Sequence, residues 1–203
     1  VAVQVKPGTA GSLTTATGNL YLCQWYNVSE PILAKTYSLQ IYNGIGPSSV
    51  TPSSTGTLVI DFNADPRYIS SNAKYYYPTL STYVYTLNSS SNVTGSIDIR
   101  WYGRIPDYYP GSATSLVSKW VATPGRRCYE LDLATSGTVS LWLSQDGTTV
   151  NSYTSTVPLS SVGSFTNTNV WLRATRDISN GSGTFYYSYD NTTWVQLGAP
   201  VSI

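Results

Sequence analysis

Short runs in which apolar and polar residues alternate, each closed by a turn signal, constrain this chain more than any other feature. Ile97, Ile99 and Trp101 alternate with Asp98, Arg100 and Tyr102. Val139, Leu141 and Leu143 alternate with Ser140, Trp142 and Ser144, and Val170, Leu172 and Ala174 with Trp171, Arg173 and Thr175. Successive strand side chains point to opposite faces, so each run predicts a strand with one face toward a core. Similar runs span 19–28, 36–42, 57–63, 115–121, 126–133, 148–155, 184–189 and 193–197. They are rich in the Tyr, Thr, Val and Trp that suit a pleated, half-buried surface. No window keeps apolar residues at helical spacing for three turns. Asp146-Gly147, Asp190-Asn191-Thr192 and Thr135-Ser136-Gly137 each sit between two runs and predict hairpins. The expectation is an all-β chain, folded as an antiparallel β-sandwich or jelly roll.

The rhythm is uneven along the 203 residues. Residues 44–54 (GIGPSSVTPSS) read as a loop, and 70–81 (SSNAKYYYPTLS) as a linker or a docked loop. Beyond about Thr82 the hairpins become regular. The expected division is an N-terminal β segment, 1–82, for attachment or for completing strands, and a sandwich proper, 83–203. One continuous jelly roll over the whole chain is the alternative.

Composition narrows the function. Charged residues make up 10%, against roughly 25% in average soluble proteins, so Ser, Thr, Asn and Tyr must build the surface. A net charge of +1 gives no electrostatic footprint for nucleic acid or an anionic membrane. The absence of His excludes a His-dependent nucleophile, a His-ligated zinc and an imidazole pH switch. No apolar run is long enough to predict a membrane span. Val1–Lys6 has no signal-peptide h-region, and Val1 without any Met suggests a trimmed initiator or a cleaved precursor. Cys23 and Cys128 carry no disulfide-framework signal and read as free thiols, although one bridge between them stays open.

Five ordered blocks in the second part resemble the laminin-G/concanavalin A-like sandwich domains of bacteriophage minor tail and other virion proteins. They are Gly95–Trp101, Leu116–Trp120, Arg127–Leu133, Gly137–Gly147, and Trp171–Asp177 followed by Gly183–Gly198. Such domains usually continue past the last of these strands. The missing strands are therefore expected from the N-terminal segment, from another chain, or from a longer product. The resemblance implies a non-enzymatic virion structural protein of a tail, fibre or capsid exterior. Its implied partners are other virion proteins, copies of itself and a host-surface glycan, and its implied location is the virion exterior or extracellular space. Two alternatives are a carbohydrate-binding module of a secreted polysaccharide-active enzyme and a self-assembling adhesin or fibre subunit.

Glu130-Leu-Asp132 puts two carboxylates on one strand face, about 7 Å apart. Glycosidases of the concanavalin-like family carry Glu-x-Asp followed by a further Glu. A retaining mechanism needs an acid and a nucleophile about 5–5.5 Å apart, and Leu133, Ala134 and Thr135 supply no third acid. No catalytic residues are expected, and Glu130 and Asp132 read as a solvated pair near Arg100, Lys119 or Arg127. Tyr102, Trp120 and Trp142 fall opposite the predicted core, where they would form a stacking platform for sugar rings or fill an interface. Asp98, Arg100, Glu130 and Asp132 are the expected polar partners of a sugar. Tyr75, Tyr76, Tyr77, Tyr108 and Tyr109 cluster beside prolines and are expected at a protein interface or capping the sandwich ends. Ser188–Trp194 resembles an Asp-box hairpin, which makes Asp190 and Trp194 structural. The resemblance allows a rim calcium, for which Asp98, Asp107, Asp146 and Asp177 could supply ligands, but no Asp-x-Asp-x-Asp loop supports one, so no cofactor is expected.

Overall fold

The structure is a computed structural model that describes residues 20–22, 35–52, 56–63, 85–86, 93, 95–105, 107, 109–120 and 127–203. The first strands are β1 (Leu20–Leu22), β2 (Lys35–Asn43), β3 (Thr57–Asn63), β4 (Tyr85–Thr86), β5 (Ile97–Arg104) and β6 (Thr114–Trp120). They are followed by β7 (Arg127–Leu133), β8 (Val139–Leu143), β9 (Asn151–Thr154) and β10 (Asn169–Asp177). The last are β11 (Ser182–Ser188), β12 (Val195–Gln196) and β13 (Val201–Ser202). The one helical element among the described residues is a 3-10 turn at Leu159–Ser161, so no described helix is long and apolar enough to cross a membrane.

Every pairing among the described strands is antiparallel. One sheet runs β12-β11-β10-β5-β2-β3, with β13 also on β11, and the other runs β4-β1-β6-β7-β8-β9. The chain is therefore all-β, in two antiparallel sheets whose apolar faces share one core. Strands from before residue 82 enter both sheets: β2 lies between β3 and β5, and β1 pairs with β6.

Alternation decides which side chains enter that core. Ile97, Ile99, Trp101, Val170, Leu172 and Ala174 are buried from the first sheet, and Leu131, Leu133, Val139 and Leu141 from the second. Trp101 can be buried without stranding its indole N–H, because Nε1 donates to Thr36 Oγ1 at 2.8 Å. The sheets approach so closely at Gly183 that a Cβ there would lie 2.5 Å from the Tyr153 ring. Glycine is needed at that point in β11 because the aromatic ring of β9 occupies the space. Two of the three predicted hairpins close as carboxylate-capped turns. Asp146 Oδ1 accepts from the N–H groups of Thr148 and Thr149, and Asp190 Oδ1 from those of Thr192 and Thr193. These bonds favour the charged carboxylates, holding Asp146 down near pKa 2 and Asp190 well below the usual range.

Candidate functional site

The outer face of the first sheet holds a sealed polar cluster. Asp98 and Arg100 of β5 and Arg173 of β10 fall on the polar side of their alternation, and all three are buried. Register places Arg173 opposite Arg100. Asp98 Oδ2 accepts from Arg100 Nη2 at 2.9 Å and from Arg173 Nη2 at 2.8 Å. It also accepts from the backbone N–H of Gly46 at 2.9 Å.

The loop after β2 is folded over these groups. Pro47 O accepts from Arg100, and Gly46 O, Ser48 Oγ and Thr51 Oγ1 accept from Arg173. The Trp194 ring lies 5.6 Å from the Arg100 guanidinium and 5.5 Å from that of Arg173. The Tyr42 ring lies 4.7 Å from Arg100. Two guanidiniums thus share one carboxylate, and neutral acceptors and aromatic faces take up the remaining positive charge. The arrangement ties a loop to a sheet, and it leaves Asp98 and Arg100 shielded from any ligand while the loop is closed.

Two residues along the same strands the face opens. Tyr102 of β5 is opposite Trp171 of β10, and their rings stack with centroids 4.9 Å apart and planes 21° apart. Tyr37 sits at a register shift in β2 between Thr36 and Ser38, and its ring centroid is 5.6 Å from that of Tyr102. Adjacent strands lie about 4.8 Å apart, so stacked cross-strand rings stand side by side off the sheet. The next strand beyond Trp171 presents Ser188 at the matching position. With this small residue there, the Trp171 indole has no second ring neighbour among the described residues. All three aromatics are half-buried.

On the second sheet, register places Glu130 opposite Trp142 and Asp132 opposite Ser140. Trp142 Nε1 donates to Asp132 Oδ2 at 3.0 Å. Both carboxylate residues are buried, not solvated as the alternation suggested. Asp132 Oδ1, Ser115 Oγ and Ser118 Oγ, on the paired strands β6 and β7, are buried with no hydrogen-bond partner among the described residues.

Burial pushes the Asp132 pKa up to about 6 against the opposing pull of Trp142 and Ser140. The folded chain therefore binds this proton more tightly than the unfolded chain does. The resulting stability is complete below the unfolded value near 3.8 and is lost as pH rises through about 6. Asp132→Asn removes that dependence. Denaturant titrations across the acid range should show wild type losing on the order of 2–3 kcal/mol relative to the variant over this window. Parallel pH profiles would contradict the assignment.

The sequence-predicted residues are thus divided between the two sheets. Tyr102, Asp98 and Arg100 belong to the first sheet, whereas Trp120, Glu130, Asp132 and Trp142 belong to the second. Tyr102 consequently shares no face with Trp120 or Trp142: the sandwich's two layers separate them. Trp120 instead lies 5.7 Å from the Arg127 guanidinium. Tyr109 is exposed and hydrogen-bonds Ser160, while Tyr75, Tyr76, Tyr77, Tyr108 and Cys23 lie outside the described residues. Cys128 is a buried free thiol whose pKa burial raises to about 11. Neighbouring Lys119 is lowered by burial to about 8.

Asp107, Asp146 and Asp177 each accept hydrogen bonds from their own turns. No group of three or more His, Cys, Asp or Glu able to hold a metal occurs among the described residues. Trp171, Tyr37 and Arg173 were not singled out by sequence reasoning. The available signal was their place on the polar side of a run or beside one, but the pairing of β5 with β10 and β2 is needed to use it. No protein-family model, curated protein or solved structure matches the chain.

Proposed function

We propose that this chain is a non-enzymatic component of a bacteriophage particle exterior that contacts host-surface glycan through the Tyr37–Tyr102–Trp171 row. The observation that carries the glycan reading is the half-buried aromatic row on a rigid sheet, with one indole face left beside a serine. Pyranose rings present apolar C–H patches, and an aromatic face held in place by neighbouring strands binds them with little ordering cost. The resemblance of the five strand blocks supports the virion assignment. The low-charge, hydroxyl-rich composition suits a surface facing solvent and neighbouring subunits. Many copies on one particle would convert weak single-site binding into avidity.

The buried carboxylates favour binding over hydrolysis. Asp98 is occupied by two arginines, and Glu130 and Asp132 stand on the opposite sheet from the aromatic row. A panel of neutral and acidic oligosaccharides, titrated calorimetrically against wild type and Trp171→Ala, tests the reading. At least one sugar should bind, and the substitution should weaken it about tenfold or more, as expected for a central aromatic anchor. Absence of binding across the panel, or equal binding by the variant, would overturn the proposal.

A further inference from the structure

Arg104 adds a charge at the open end of this aromatic row. It follows Tyr102 by two positions on β5, so it lies on the same face about 6.6 Å along the strand. It is half-buried, and its Nε donates to Asn167 Oδ1 at 3.3 Å. Asn167 adopts a left-handed conformation, φ 57°, that non-glycine residues seldom take. Its backbone N–H is bonded to Ile105 O at 3.1 Å. The Nε bond ties the Arg104 head to the segment that leads into β10, the strand that bears Trp171. Asn169, register partner of Arg104, is exposed between them.

Unlike Arg100 and Arg173, Arg104 makes no ion pair among the described residues. The outer faces of β5 and β10 hold three guanidiniums against two carboxylates, Asp98 beside the sealed arginines and Asp177 at the far end of β10 from Asn169. Within the sealed cluster the two arginines exceed the charge of Asp98 by one, and the loop's acceptors are neutral.

We infer that the ligand is an acidic sugar, a uronic or sialic acid residue, whose ring lies on Trp171 and whose carboxylate is gripped by the Arg104 guanidinium. The inference rests on the aromatic row being the sugar platform. The planar fork of arginine matches both oxygens of a carboxylate, whereas lysine offers a point charge. An asparagine bond on Nε leaves the two terminal nitrogens as the donors for such a ligand.

The test compares trigalacturonic acid with its carboxyl-reduced galactose trimer, and sialyllactose with lactose, by calorimetric titration of wild type, Arg104→Gln, Arg104→Lys and Trp171→Ala. Circular dichroism and thermal unfolding first confirm that each variant is folded. Wild type should bind the acidic member of at least one pair about tenfold more tightly than its neutral counterpart. In Arg104→Gln that ratio should fall to about one, and in Arg104→Lys it should fall to an intermediate value. Equal wild-type affinity for both members of each pair, or an acid preference that persists in Arg104→Gln, overturns the inference while leaving the platform standing. Should Arg104→Gln fail to fold, full acid preference in Arg104→Lys overturns the inference, because a point charge would then suffice. Failure of all four sugars to bind, or unchanged binding by Trp171→Ala, removes the platform and the inference together.

Discussion

Asp98→Ala should destabilise the fold by about 3–5 kcal/mol, the range for removing one member of a buried ion cluster. The carboxylate accepts from both arginines and from the Gly46 N–H. Its loss leaves two buried guanidiniums side by side with no counter-charge, and the loop 44–51 loses its anchor on the sheet. Repulsion and desolvation then act together, because water can reach Arg100 and Arg173 only if the loop lifts away. Replacing all three charges at once, as Asp98→Leu with Arg100→Met and Arg173→Met, should cost much less, since no uncompensated charge remains. Urea unfolding of the single and triple variants distinguishes the two cases. If the single variant lost under about 1 kcal/mol, the cluster would not hold the loop as described.

Trp101→Ala should cost a similar amount, about 3–5 kcal/mol, for a different reason. Trp101 is fully buried among the side chains of both sheets. Truncation leaves a cavity that the paired strands β2, β5 and β10 cannot collapse to fill, and it removes the indole N–H that Thr36 Oγ1 accepts. The neighbouring Tyr102 and the facing Trp171 are half-buried, so Trp171→Ala should cost stability far less than Trp101→Ala while costing binding far more. Thermal unfolding of the two tryptophan variants side by side reads the contrast. A larger stability loss in Trp171→Ala would mean that the core and outer faces of this sheet had been exchanged.

Which residues of a strand face inward was legible in the sequence, because burial follows the period-two pattern wherever one face meets the core. Ile97, Ile99, Trp101, Val170 and Leu172 are placed by that rule alone. What covers the other face was not legible. Asp98, Arg100 and Arg173 occupy the polar positions of their runs, and Asp98 and Arg100 were expected to meet a sugar, yet a Gly/Pro/Ser loop contacts them across 52 to 127 residues of sequence. Period two carries no information about so distant a partner.

The same limit separates Tyr102 from Trp120 and Trp142. Alternation gives the face of each residue, but the sheet to which a strand belongs is settled by non-local pairing. Trp171 became visible as a partner of Tyr102 only once β10 was seen to pair with β5. Tyr37 owes its position to a register shift, which no pattern in β2 announces. The carboxylate-capped turns at Asp146 and Asp190 were legible because their chemistry is local.

The most direct measurement is a pair of titrations of uniformly nitrogen-15-labelled protein, one with trigalacturonic acid and one with sialyllactose, following the indole N–H resonances of its six tryptophans. Trp171 should shift progressively and saturably, while Trp101, bonded within the core, and Trp142, on the far sheet, should stay in place. A Trp171 that stays in place with both sugars, or a ligand-dependent shift centred on Trp142 instead, would contradict the placement of the binding surface on the outer face of the first sheet.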